Sequence, residues 1–273
     1  MIPTLFEIPI FGGIPIHSFG LMMAAAFLTS SFVLRRLFKN AGYSEELSEK
    51  IILVAAIAGL AGSKLYYLLF EAFERFKKYP MEMLFSGAGL TWYGGFVLAT
   101  ISIIYLLKKN KIPVLRGVDL IAIPLPLGYG IGRIGCHLSG DGDYGLPWDG
   151  PWATNYSRGV VPPSQAFHGT EIARQYPNGI VPDNTLCHPT PLYETLISTG
   201  IFLILWHMSK RKLPAGSIIS LYLMLAGMER FFIEFMRLNP KVAFGLSGAQ
   251  LISVMMITVG ASSLAYLWKR ATA

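Results

Sequence analysis

Arg230, Glu234 and Arg237 stand at i, i+4 and i+7 in "RFFIEFMR". That spacing stacks side chains on one face of a helix. Two guanidiniums flanking one carboxylate leave positive charge over. With Arg133, from "GRIGCH", they make a receptor for phosphate, because the planar donor fork of arginine matches phosphate oxygens. The competing reading is that arginines near helix ends reach out to lipid headgroups along their aliphatic stems. That reading suits Arg237 taken alone; Arg133 and Arg230, deeper in their apolar runs, suit a site.

What must position them is a set of helices in lipid. Of 273 residues, 53% are hydrophobic and only 14% charged, whereas a soluble domain carries about 25%. The sequence predicts an all-α integral membrane protein with about seven transmembrane helices, near 17–38, 51–70, 90–107, 118–138, 191–208, 215–236 and 248–267. Each has the roughly 18–22 residues needed to cross about 30 Å of hydrocarbon. The fourth is broken by Pro124, Pro126 and several glycines, which membrane helices tolerate where neighbours satisfy the backbone. The net charge of +7 sits in short clusters between apolar runs, a pattern that orients helices against lipid and argues against a nucleic-acid partner. Lys and Arg divide 13 to 7 between the two sets of connections, so the positive-inside rule puts the N-terminus outside and the C-terminus in the cytoplasm. An odd number of spans agrees. The first sixteen residues lack a basic leader, so the first span is expected to be retained. With two cysteines, Cys136 and Cys187, there is no disulfide scaffold and no thiolate metal cluster; a disulfide between them and separate packing roles both stay open.

The chain reads as a single transmembrane domain, 1–273, with one long outer loop at about 139–187. A loop of that length is functional or disordered. Its Trp148, Trp152, Tyr156, Phe167 and Tyr176 are candidates for anchoring at the headgroup level. Asp141 and Asp143 lie in its first turn, where they are expected to cap backbone amides or pair with an arginine; two carboxylates alone do not predict a metal.

Sorted by depth, the polar residues of six spans gather at one end. These are His17 and Ser18; Lys64, Tyr66 and Tyr67; Trp92, Tyr93, Gly94 and Gly95; Arg133 and His137; His188, Tyr193 and Glu194; and Arg230, Glu234 and Arg237. An ionisable group inside a bilayer costs a few kcal/mol even on insertion scales, so such groups face a bundle interior or a wet cavity. Gly128, Gly130, Gly132 and Gly135 allow close approach, either of a ligand or of a neighbouring helix. Rhomboid-type proteolysis is set aside, because Ser139 follows "CHL" and no Gly-x-Ser-Gly is present.

At these residues nearly the whole chain resembles the prolipoprotein diacylglyceryl transferase family. The resemblance lies in "IHSFGLMM" at 16–23, "GLTWYGG" at 89–95, "GRIGCHLSGDGDYG" at 132–145, "HPTPLYE" at 188–194 and "RFFIEFMR" at 230–237. It implies a multi-pass enzyme of the bacterial plasma (inner) membrane that needs no cofactor. Its partners would be phosphatidylglycerol and the lipobox cysteine of a preprolipoprotein. The diacylglyceryl group moves to the thiol and glycerol phosphate leaves, a displacement that needs a base for the thiol and cations for the leaving group.

Carried over residue by residue, the resemblance gives Arg133 and Arg230 phosphate-facing roles and makes Glu234 the partner that holds the arginine. Arg237, Gly94, Gly95, Gly145, Asp141, His17, His188, Tyr193 and Glu194 are expected to line the substrate site. The chain also departs from the pattern. Cys136 and Ser139 replace two asparagines, His137 a phenylalanine, Phe19 a tyrosine, and Tyr93 the histidine of His-Gly-Gly, while Asp141 stands near the family glutamate. His137, at i+4 from Arg133, becomes the candidate base, since an imidazole with a pKa near ~6.5 suits neutral pH; a purely hydrogen-bonded interfacial histidine is the other reading. Tyr93, with a pKa near ~10, is better placed to donate a hydrogen bond to the leaving oxygen. Two further functions fit the scaffold: a non-catalytic lipid-binding or transport protein, and a related transferase with another acceptor.

Overall fold

A computed structural model describes residues 1–9, 13–86, 89 and 91–272. In chain order the main elements are β1 (Thr4–Ile8), β2 (Ile14–His17), α1 (Ser18–Asn40), α2 (Glu45–Tyr66), α3 (Trp92–Lys109), α4 (Val114–Ala122), α5 (Pro124–Ser139), β3 (Thr154–Asn155), β4 (Leu186–Cys187), α6 (Thr190–Met208), α7 (Ser217–Ile233), β5 (Lys241–Ala243), β6 (Leu246–Ser247) and α8 (Gly248–Thr272). Among the described residues the strands form three antiparallel pairs, one ahead of α1 and two in connecting segments, a departure from a purely helical chain.

Among the described residues, four helical stretches are long and apolar enough to cross a membrane: Ser18–Asn40, Glu45–Glu71, Val114–Ser139 and Gly248–Ala271. Large apolar side chains point outward in mid-helix, among them Leu28 at 72%, Leu196 at 72% and Ile101 at 57% exposure. Apolar surface on this scale marks a face that meets lipid. The protein is therefore a mostly helical membrane protein.

Local chemistry sets the helix limits. Ser44 caps α2, its hydroxyl accepting from Leu47 N–H at 3.4 Å, and Glu45 and Glu46 follow in the first turn, where carboxylates suit the helix dipole. The predicted fourth span is two helices meeting at Ile123, because Pro124 has no N–H to continue the ladder. Gly140 ends α5 at φ 61°, its N–H returning to Cys136 O, the left-handed cap that glycine adopts without penalty.

The described residues fall into two compact units. In residues 31–118, α2 and α3 cross on small residues. A Cβ at Gly94 would collide with the Gly62 carbonyl and Tyr66, and one at Gly95 with Ser63 Oγ. These two glycines, expected in the substrate site, are occupied by helix packing here. Tyr93 beside them lies against Tyr66, ring centroids 6.4 Å apart, and Trp92, 5.7 Å.

In residues 1–30 and 119–273, α5 packs on α6 and α6 on α7. A Cβ at Gly130 would stand 2.6 Å from Ser198 Oγ, and Thr195 donates to the Gly130 carbonyl at 3.0 Å. Helix α7 packs on α8 through Gly227, where a Cβ would meet Ser253 O at 2.9 Å, and Gly260, where one would meet Ser220 O at 2.5 Å. The long loop after α5 has its own core of Tyr144, Tyr156, Phe167, Ala173, Val181 and Cys187. Tyr144 and Tyr156 stack at 4.1 Å, and Tyr144 donates to Val161 O at 2.8 Å. Tyr156 and Phe167 are therefore core residues, not headgroup anchors; Trp152, 62% exposed, keeps a free face.

Candidate active site

Four segments of the same unit meet at the loop end of α5, α6 and α7. Helix α5 brings Tyr129 and, one turn on, Arg133. Helix α6 brings Glu194. Helix α7 ends with Arg230 and runs into the tight turn Glu234–Met236, followed by Arg237. The long loop brings Asp143.

Glu194 is the hub, with a side chain at 0% exposure. Its Oε2 lies 3.2 Å from Arg133 Nε and 3.9 Å from Arg237 Nη1, and its Oε1 lies 3.5 Å from Arg230 Nη1. Tyr129 donates to the same Oε1 at 2.6 Å. A buried carboxylate survives only with such compensation. Arg230 also pairs with Glu234 at 2.9 Å, and Asn239 and Ser247 donate to Glu234 Oε1 at 2.7 and 2.6 Å. Asp143 accepts from both Arg133 and Arg237.

The sequence predicts excess positive charge, but the cluster sets three guanidiniums against three carboxylates. Spacing along one helix reveals Arg230, Glu234 and Arg237; it cannot reveal that α6 and the loop deliver Glu194 and Asp143 to the same point. The most open members are Asp143 at 37% and Arg230 at 27%, whereas Arg133 is 14% and Arg237 10% exposed. The cluster is therefore most open where Asp143 bridges two arginines.

The chain fixes Asp143 through its backbone. Asp141 accepts from Asp143 N–H at 3.2 Å, a local turn, and Thr190 donates to Asp143 O at 2.9 Å. Gly145 N–H reaches His188 O at 2.9 Å and Leu146 N–H reaches Met236 O at 2.8 Å. A Cβ on Gly145 would stand 2.6 Å from Met236 O and 2.8 Å from Thr190 Cγ2, so only glycine lets the loop lie this close. Burial pushes Asp143 toward a higher pKa, but the Arg237 and Arg133 guanidiniums win and hold it below the usual carboxylate range. Burial raises Asp141. Thus Asp141 caps a backbone amide and Asp143 pairs with arginines, the two roles open to them in the sequence.

An apolar groove of about 370 Å³ runs between the first half of α1 and α5, lined by Phe19, Met23, Phe27, Leu125 and Tyr129, with Arg133 among its walls. Its dimensions and lining suit an acyl chain whose polar end meets Arg133.

Other expected residues lie elsewhere. His137 Nδ1 is 3.1 Å from Tyr156 OH and its ring meets Tyr156 edge-on, so it is tied to the loop core. His17 is exposed, with Nδ1 3.4 Å from Thr4 Oγ1. His188 stacks on Trp148 at 4.3 Å, and its Nδ1 is 3.3 Å from Tyr193 OH, which accepts from Trp152 at 2.9 Å. These form an aromatic group beside the cluster. Tyr93, Gly94 and Gly95 belong to the other unit. Cys136 and Cys187 are both buried free thiols. Cys136 Sγ and the carboxylates of Asp141 and Asp143 lie within 4.8 Å of one another, but the Arg133 guanidinium, 3.8 Å from that sulfur and paired with Asp143, already supplies the cation.

The sequence reading missed Tyr129, Asn239, Ser247 and the buried Glu229. Tyr129 had a signal, at i−4 from Arg133. Asn239 and Ser247 lie beyond the helix, where periodicity says nothing. Glu229 sits one residue off the Arg230 face.

The sequence pattern described as prolipoprotein diacylglyceryl transferase matches residues 3–266. The chain is 30% identical to a phosphatidylglycerol–prolipoprotein diacylglyceryl transferase of Clostridium tetani over 95% of both chains. It is 30% identical to one of Fervidobacterium nodosum over 94% of this chain and 82% of that one, and 26% identical to one of Acinetobacter baumannii over 95% and 91%. The chain belongs to the prolipoprotein diacylglyceryl transferase family.

Proposed function

We propose that the protein transfers the diacylglyceryl group of phosphatidylglycerol to the lipobox cysteine thiol of a preprolipoprotein, releasing glycerol phosphate. One observation carries this reading: Arg133, Arg230 and Arg237 converge on a buried carboxylate beside an apolar groove. The lipid phosphate replaces Asp143 between Arg133 and Arg237, and one acyl chain lies in the groove. The thiolate then attacks the glyceryl carbon, the carbon–oxygen bond to phosphate breaks, and its electron pair leaves on the phosphate. Fixed guanidiniums stabilise that charge without reorganising, which is where such sites gain rate. Glu194 and Glu234 keep the guanidiniums in place.

The reading includes a single multi-pass domain in the bacterial inner membrane, with seven spans, the N-terminus and long loop outside and the C-terminus in the cytoplasm. It is supported by the charge division of the connections, and by α3, α6 and α7, apolar helices of 18, 19 and 17 residues that add to the four longer ones. The test is purified protein with phosphatidylglycerol and a lipobox peptide. Glycerol phosphate and peptide of increased mass should appear together. Lipid bound without either product would instead make it a binding protein.

A further inference from the structure

The proposed transfer still needs a group for one step. The acceptor thiol must lose its proton. His137 places its Nδ1 3.1 Å from Tyr156 OH in the loop core, outside the ion-pair cluster, and Asp143, Glu194 and Glu234 are engaged by arginines. Glu229, unlike Glu194 and Glu234, whose Oε2 atoms also lack a hydrogen-bond partner, makes no ion pair among the described residues. It is 8% exposed, and its Oε1 has no hydrogen-bond partner among the described residues. A buried, unpartnered carboxylate oxygen is costly and calls for an explanation.

Its place supplies one. Glu229 precedes Arg230 on α7, one residue farther from the turn that carries Glu234. It lies within electrostatic reach of Arg133, Arg230, Glu194, Tyr129 and Tyr222. Helix α8, packed on α7, carries its titratable residues Tyr266, Lys269 and Arg270 in its last two turns, at the opposite end from the cluster. In a phospholipid the glyceryl carbon bonded to the phosphate oxygen lies on the tail side of the phosphate. With the phosphate on the guanidiniums and a tail in the groove, that carbon lies on the Tyr129 side of the arginines, and Tyr129 is within electrostatic reach of Glu229. The attacking sulfur must approach opposite the departing oxygen, hence from this side too.

The geometry points to Glu229 as the proton acceptor for the lipobox thiol, a role resting on the proposed transfer. The balance is simple. The thiol proton passes to Glu229 Oε1, the sulfur forms its bond to the glyceryl carbon, and the carbon–oxygen bond to phosphate breaks with its electrons going to glycerol phosphate. Glu229 then returns the proton to water.

The experiment compares the full-length protein with its E229Q, E229D and H137Q variants, using phosphatidylglycerol and a lipobox peptide across pH. E229Q should lower kcat by about 10²-fold, the usual contribution of a positioned base, with KM for phosphatidylglycerol changed by less than about 3-fold. Its remaining rate should climb with pH as the thiol, with a pKa near ~8.5, ionises unaided. E229D should recover part of kcat and keep the wild-type fall in rate at acid pH; H137Q should keep that acid fall as well. A purely structural glutamate would move both kinetic constants and leave the pH profile alone. The proposal is overturned if E229Q stays within tenfold of wild type at neutral pH, or if the acid fall disappears in H137Q but not in E229Q. Wild-type protein that releases no glycerol phosphate overturns the transferase reading as well.

Discussion

Glu194 Oε2 lies 3.2 Å from Arg133 Nε, so a fully buried carboxylate of α6 fixes the guanidinium that α5 presents to the groove. Glu194→Gln keeps the shape but leaves Arg133, Arg230 and Arg237 without their shared counter-charge. Breaking a buried pair from one side costs about 3–5 kcal/mol. Thermal unfolding in detergent should show a drop in Tm of several degrees, and glycerol phosphate release should fall by at least about 10²-fold.

Asp143 should make the protein acid-sensitive in a defined direction. Its pKa is lowered in the folded state by Arg237 and Arg133 working against burial. The corresponding stability is therefore fully present above the unfolded value of about 3.9 and is lost as pH falls through the depressed value. Asp143→Asn should remove that acid dependence of Tm. The same change frees two guanidiniums, so inhibition by glycerol phosphate should tighten by about tenfold, the scale of one charge-assisted hydrogen bond. A Tm profile in acid matching wild type would count against the bridge.

Gly145→Ala asks whether the loop must lie this close. The added methyl meets Met236 O, Thr190 and His188, which shifts the backbone carrying Asp143. Activity should fall by about 10²-fold, as for a displacement of about 1 Å in a site, with a smaller loss in Tm than Glu194→Gln gives.

Cys136 and Cys187 are separate free thiols. A maleimide reagent should label both after denaturation without any reductant. Labelling of neither, restored by reduction, would mean a bond between them.

Much of this site was legible in the chain because helices have a fixed period. Arg230, Glu234 and Arg237 announce themselves at i, i+4 and i+7, and Arg133 stands out because lipid makes a mid-helix charge costly. Partners delivered by tertiary folding were not legible. Asp143 reaches the arginines only because Gly145 and Thr190 dock the loop, and Ser247 meets Glu234 from the far side of a strand turn. The loop itself was legible as long and aromatic, but not as folded, since its core joins Tyr144, Tyr156 and Phe167 to Val181 and Cys187 across the loop. Gly94 and Gly95 show the opposite limit. Glycine in a membrane helix suits a ligand or a neighbour equally, and the sequence does not show that Gly94 and Gly95 meet Gly62 and Ser63.

The most direct test of the central claim is release of glycerol phosphate from phosphatidylglycerol by Arg133→Ala and Arg230→Ala, each shown by thermal unfolding to remain folded. Each should lose at least about 10³-fold in kcat, the scale for removing a donor from a developing oxyanion. Folded variants that release glycerol phosphate at wild-type rates would contradict the account.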